Sequence, residues 1–224
     1  METEPRPYHH GNLKQSLLDA AVDLIGSVGL QAFTLREVTR RAGVSHNAPY
    51  RHFRDKDDLL NAVAAEGFNR LTESMAASAN SGVSAMDKLR LSGQGYVDFA
   101  LRFPQHFMVI FDSPAQIKTN LESQTAGERA FGALTRYIEE CQKEGSLPDG
   151  DSTHLALLAW SLVHGIAKLA SSGRLPSSKA SDVLAFTDTA TQAFLSGIVG
   201  MPAHSTPNPS LCPPSLCPKK PPCG

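Results

Sequence analysis

The segment from Phe33 to Lys56, FTLREVTRRAGVSHNAPYRHFRDK, constrains this chain more than any other, because it reads as two short helices joined at a glycine turn. Thr34 stands where an N-cap belongs. Glu37, three residues on, completes a capping box, in which the two residues satisfy each other's free backbone donors. Leu35, Val38 and Ala42 recur at helical spacing and leave Arg36, Glu37, Arg40 and Arg41 on other faces, while Gly43 supplies the permissive backbone of a helix exit. After Val44, Ser45 can cap a second helix carrying His46, Asn47, Ala48, Tyr50, Arg51 and His52, with Phe53 tying it inward. Pro49 lacks an N–H and is disfavoured beyond the first helical turn. A helix start that is shifted or partly 3₁₀ accommodates it and turns His46 and Asn47 outward.

The pattern is that of a helix-turn-helix, and its charge agrees. Between Arg36 and Lys56, six Arg and Lys stand against two acids, although the whole chain has a formal charge of −1. The basicity is local. A DNA-reading motif needs a few cationic and polar groups for phosphates and two or three side chains for base edges in the major groove. This segment carries both kinds.

The 224 residues, 41% hydrophobic, can bury a substantial core in one or two domains. Helix formers dominate and no run of alternating β-branched residues suggests a sheet, so the expected fold class is all-α. Helix one is expected from about Asn12 to Val28, with Leu17, Ala21, Leu24 and Val28 on one stripe and Gly29 closing it. Asp55 is placed to cap a long helix from Lys56 to about Ala79, with Asp57 and Asp58 at its positive end and Leu60, Val63, Gly67, Leu71 and Met75 along it. Asn80 to Ser84 is the expected joint between domains. Beyond it, helices are expected at about 85–102, 104–112, 121–144, 152–171 and 178–199, the second opening on Pro104. The resulting division is a DNA-binding unit at 1–55, a connecting helix at 56–80, a second helical domain at 81–201 and a tail at 202–224.

In the second domain Tyr96, Phe99, Phe103, Phe107, Phe111, Phe131, Tyr137 and Trp160 gather on helices. Such a stripe serves either a core or an apolar ligand site with a few oriented polar groups, and Trp160 with His164 one turn later would supply a polar-tipped pair. Phe99, Phe103 and Phe107 are spaced by four, but Pro104 interrupts the last step. The last two helices are crowded with Ala, Ser, Thr and Gly, which suits close packing on another helix.

Other chemistry finds little support. The chain shows no Gly-rich phosphate loop, nucleophile elbow or HExxH, so no catalytic residue, cofactor or metal is expected. His9 and His10 are adjacent and point different ways on a helix. Cys141 reads as a packed thiol. Cys212, Cys217 and Cys223 fall in a Pro-rich tail too poor in large apolar groups to fold alone. The N-terminus has no hydrophobic leader pattern, and LALLAWSLVHGIA at 155–167 is shorter than a bilayer requires, so a cytoplasmic protein is expected.

From Tyr8 to about Asn69, and above all in GVSHNAPYRHFRDKDDLL, the chain resembles the DNA-binding domain of TetR/AcrR-type transcriptional regulators. Trp160-Ser-Leu-Val-His164-Gly165 is similar to the Trp-(x)₃-His-Gly signature of one branch of that family, and Tyr8-His9-His10-Gly11-Asn12 to the lead-in of its first helix. The resemblance implies a homodimer whose last two helices pair across a two-fold axis. It also implies a palindromic operator with half-sites roughly 34 Å or somewhat more apart, one turn of DNA, and release by a small apolar effector held by Tyr96, Phe99, Phe103, Phe107, Phe111, Phe131, Trp160 and His164. Carried over residue by residue, Thr34, Tyr50, His52 and Lys56 fit phosphate-gripping positions, and His46 and Asn47 fit base-facing ones. Arg36, Ser45 and Arg51 complete the DNA-binding set. Ala48-Pro49 departs from the family pattern. Repression is the implied sign of regulation; a helical enzyme or carrier retaining the motif, and a ligand-independent DNA binder, are the rival readings.

Overall fold

Side-chain caps set where five helices of this chain begin. The structure is a computed structural model that describes residues 13–113 and 120–199. Its elements are Leu13–Val28 (α1), Leu35–Ala42 (α2), a 3₁₀ turn at Pro49–Arg51, Lys56–Ala79 (α3), Ala85–Arg102 (α4), Pro104–Asp112 (α5), Leu121–Lys143 (α6), Ser152–Ser171 (α7) and Ala180–Val199 (α8). Among the described residues there is no strand. The Tyr8–Asn12 lead-in and the 202–224 tail lie outside the described residues.

Both halves of the expected capping box open α2: Thr34 Oγ1 accepts from the Glu37 N–H, and the Glu37 carboxylate accepts from the Thr34 N–H at 2.8 Å. Gly43 closes the helix at φ 67°. The N–H of Gly43 returns to the Arg40 carbonyl and that of Val44 to the Thr39 carbonyl, which satisfies the carbonyls a helix end leaves free. Asp55 caps α3 through the Asp58 N–H at 2.8 Å, and Ser84 with Asp87 makes a second capping box on α4.

Two expectations need correction. Val28 does not share the buried stripe of Leu17, Ala21 and Leu24; it is 47% exposed at the last position of α1, where the chain turns into Gly29. The second helix of the motif keeps only the shifted 3₁₀ start expected from Pro49, and no α-helix follows it before α3. Ser45 to Ala48 forms a turn, and only Pro49–Arg51 is helical, in 3₁₀ form. Pro49 sits at the first helical position because it has no N–H to give to a preceding carbonyl, so a regular helix running from Ser45 through it would lack a bond.

Two apolar cores result. Leu17, Ile25, Phe33, Val38, Phe53 and Val63 anchor the first, built by α1, α2 and the start of α3. Leu71, Val97, Phe99, Phe107, Ile138 and Val163 belong to the second. The division falls along α3 itself: Leu59, Leu60, Ala62, Val63 and Ala64 lie in the first core, Leu71 and Met75 in the second. Helix α5 is shared in the same way, with Val109 in the first core and Phe107 and Ile110 in the second. Residues Asn80 to Ser84 therefore link two helices, α3 and α4, that pack closely: a Cβ on Gly95 would stand 2.4 Å from the Ser74 carbonyl oxygen.

Candidate DNA-reading surface and effector cavity

Ala48, Pro49 and Phe53 are buried, and they pin the turn that carries the exposed polar residues of the motif. The Ala48 N–H donates to the Ser45 carbonyl at 2.9 Å, and the His52 and Phe53 N–H groups both donate to the Pro49 carbonyl at 2.8 Å. This compact series of turns leaves Ser45, His46, Asn47, Tyr50, Arg51 and His52 exposed, with the His46 and Tyr50 rings 6.3 Å apart. Thr34 and Arg36 are exposed at the start of α2. Arg41 and Arg54 lean on Asp23 and Asp58, at 3.8 and 3.5 Å, whereas Arg36, Arg40 and Arg51 form no ion pair among the described residues. Lys56 differs from the rest. Its ammonium donates to the Gln31 carbonyl at 3.1 Å and lies 4.2 Å from the centroid of the Phe33 ring, and partial burial lowers its pKa.

Tyr96 on α4 is the centre of the second site. Trp160 Nε1 donates to its hydroxyl oxygen at 3.1 Å, and the hydroxyl stands 2.8 Å from His164 Nδ1. Donation from Tyr96 to Nδ1 satisfies all three groups and calls for the Nε2-protonated imidazole. Burial drives the phenol's pKa far upward, so it stays a hydrogen-bond donor. Beside it lies an apolar cavity of about 30 Å³ walled by Phe68, Leu71, Met75, Phe111, Phe131 and Trp160.

Four of the eight residues expected at a ligand site, Tyr96, Phe111, Phe131 and Trp160, line this cavity. His164 is not in its wall but backs it through Tyr96 and packs against Phe111 at 4.7 Å between centroids. Phe99 and Phe107 are core residues. Phe103 is the joint between α4 and α5, its ring covered by the guanidinium groups of Arg70 and Arg102 at 4.9 and 5.3 Å. Its departure follows from Pro104, which starts a new helix and ends the spacing of four. Phe68, Leu71 and Met75 were not expected in the site. They recur on one face of α3, and that stripe reads from sequence only as the packing face of a connecting helix.

Residues 17–63 match the family described as bacterial regulatory proteins of the tetR family, and residues 89–194 match the family described as the tetracyclin repressor-like C-terminal domain. The chain belongs to the TetR family. The HTH-type transcriptional regulator BetI of Klebsiella pneumoniae (strain 342) is 34% identical over 62 residues, 28% of this chain and 32% of BetI; BetI of Escherichia coli (strain K12 / DH10B) matches to the same extent. The match thus spans about a third of the curated relatives' length. A protein of unknown function from Rhodococcus sp. RHA1 has a solved structure with TM-score 0.74 and 32% identity, covering 87% of this chain and 100% of its own. FadR from Bacillus subtilis, solved with stearoyl-CoA, has TM-score 0.70 and 17% identity over 82% of this chain and 98% of its own, which is a likeness of fold.

In this TetR-family chain a charged cluster lies where α3 meets α5. Arg70 Nε and Nη2 donate to Glu66 Oε1 at 3.0 and 2.5 Å. His106 Nε2 stands 3.9 Å from Glu66 Oε2, close enough for attraction and too far for a hydrogen bond, and neither atom has a partner. The His106 imidazole and the Arg70 guanidinium hold the Glu66 carboxyl well below the usual range, at about 2, against the opposing effect of burial. Gly67 makes the approach possible: a Cβ there would meet Ile110 Cδ1 at 2.8 Å.

Proposed function

We propose that this TetR-family transcription regulator is a homodimeric repressor that binds a palindromic operator and releases it when an apolar molecule enters the Tyr96 cavity. The observation that carries this reading is the span of α3. One uninterrupted helix of 24 residues, about 36 Å long, anchors the DNA-reading turn at one end and walls the cavity with Phe68, Leu71 and Met75 at the other. Whatever moves the cavity end of α3 or the shared α5 moves the first core with it.

On DNA, His46 and Asn47 face base edges, with Asn47 suited to adenine N6 and N7, while Thr34, Tyr50, His52 and Lys56 grip phosphates. Arg36, Ser45 and Arg51 flank them. Lys56 keeps two ammonium protons beyond the one given to Gln31, so it can hold the turn and a phosphate together. Dimerisation is supported by the outer faces of the last two helices. Leu158 and Leu169 on α7 and Phe186 and Val199 on α8 are exposed, Phe186 by 51%, and α7, whose 20 residues outrun the 155–167 stretch judged too short for a bilayer, is long and apolar enough by composition to cross one while little of it is buried. Pairing of these faces with a second copy would cover them and set two reading heads at operator spacing. An effector acts only through a difference in affinity between the two head separations. The stearoyl-CoA bound to B. subtilis FadR agrees with an apolar occupant.

Light scattering of the free protein and of its complex with a selected duplex tests the assembly. Two protomers in both states support the proposal; a free monomer that binds one per duplex contradicts it.

A further inference from the structure

A second apolar void of about 30 Å³ lies between α4, α7 and α8, among Leu89, Gly93, Leu162, Val163, Thr191 and Leu195. It shares three wall residues with the aromatic cavity: Met75, Tyr96 and Leu134. Each void has room for roughly a water molecule, whereas pockets for small molecules run to about 300–1,000 Å³. An occupant must therefore enlarge the site, and the direction of least resistance is the one in which empty space already exists. Of the three shared residues, Tyr96 is tied by two hydrogen bonds to α7 and Leu134 is a branched side chain on α6. Met75 is unbranched, with three rotatable bonds, and is the residue of the partition most able to swing aside.

We propose that the two voids are halves of one site for a slender aliphatic chain with a single neutral polar head, and that Met75 is its movable partition. This rests on the effector reading above. The head belongs at the aromatic end, where the Tyr96 hydroxyl oxygen, after accepting from Trp160 and donating to His164, can accept once more from a hydroxyl head. In the second void the hydroxyl protons are already given, Ser92 Oγ to the Leu89 carbonyl at 2.7 Å and Thr191 Oγ1 to the Thr187 carbonyl at 2.8 Å, and Arg90 is ion-paired with Asp188. A flexible chain can follow the passage past Met75, while a rigid fused ring would have to displace Tyr96 and break its bonds. The far end of the chain then lies against α7 and α8, the helices proposed to pair in the dimer.

Trp160, the single tryptophan of the chain, lines the aromatic cavity and reports occupancy by its fluorescence. Titrating the full-length protein with straight-chain primary alcohols from hexanol to dodecanol should show affinity rising about fourfold per added methylene, the factor expected from about 0.8 kcal/mol per buried CH₂. Two blocks of the second void are made from different helices. Gly93→Val places methyls toward Val163 and Thr191, and Leu162→Phe fills the void from α7. Either block, with far-UV circular dichroism unchanged, should leave the shorter alcohols bound and end the gain at a shorter chain. Met75→Ala should strengthen the longer alcohols selectively. If all variants show the length limit of the unmodified protein, the passage does not exist, though the aromatic cavity still binds. If no alcohol alters Trp160 emission, the chain-binding proposal falls together with the effector reading.

Discussion

Asn47 and Lys56 stand for the two kinds of DNA contact proposed above. Asn47 is exposed on a turn whose backbone is held by Ala48 and Pro49, so its amide can reach a base edge without anything else depending on it. Asn47→Ala should cost roughly 1–3 kcal/mol on the operator and little on random DNA; equal losses on both would remove it from base reading. Lys56 carries a structural role besides the phosphate contact proposed for it. Lys56→Ala should weaken all DNA sequences alike and also lower stability by about 1–2 kcal/mol, because the bond to Gln31 and the packing on Phe33 go with it. Urea unfolding checks the second effect, and an unchanged midpoint would deny it. In the cavity, Tyr96→Phe leaves the Trp160 N–H without its acceptor and should destabilise by about 1–3 kcal/mol. Glu66 gives a pH signature. Its folded pKa of about 2 lies below the model-peptide value of 4.5, so its stabilisation is complete above roughly pH 5 and is lost as pH falls toward 2. Glu66→Gln should flatten that part of the stability profile by on the order of 2 kcal/mol, and a slope that survives the substitution would assign it to other carboxylates.

At the scale of elements, three helix starts were legible from a cap or a first-turn proline. Thr34 with Glu37, Asp55 and Pro104 each mark a start that the structure keeps to the residue. The shifted, 3₁₀ start that Pro49 suggested for the motif's second helix is there, but its length was misread, because Ser45 is a competent cap by composition while Pro49 withholds the bond a longer helix needs. The aromatic wall of the cavity was half legible for a similar reason. Spacing of four joins Phe99, Phe103 and Phe107 only on a continuous helix, and Pro104 makes two of it. Nothing in the local pattern could say that Phe68, Leu71 and Met75 face a void rather than a neighbour, since that depends on where α6 and α7 lie. Gly43 was legible from its place after Ala42, and its φ of 67° is a conformation that disfavours side chains. Gly43→Ala should cost about 1 kcal/mol, read as a lower urea midpoint, and no change would mean the turn has another way to close.

The whole molecule combines an exposed polar turn, a helix that spans two cores and a pair of outer apolar faces. The faces on α7 and α8 were suggested by small residues, but their exposure follows from packing the other side of α7 against α4 and α6 and that of α8 against α4. Phe186→Glu should destroy self-association and with it the operator affinity that two linked heads provide, as sedimentation and binding would show together. A dimer that survives Phe186→Glu would move the interface elsewhere. The most direct test of the central claim is fluorescence anisotropy of the purified protein on DNA fragments enriched from a random pool, at two salt concentrations. The account predicts a palindrome bound by two protomers, with affinity that falls steeply with salt yet stays well above that for scrambled sequence. Weak binding erased by salt, with no sequence enriched, would contradict it.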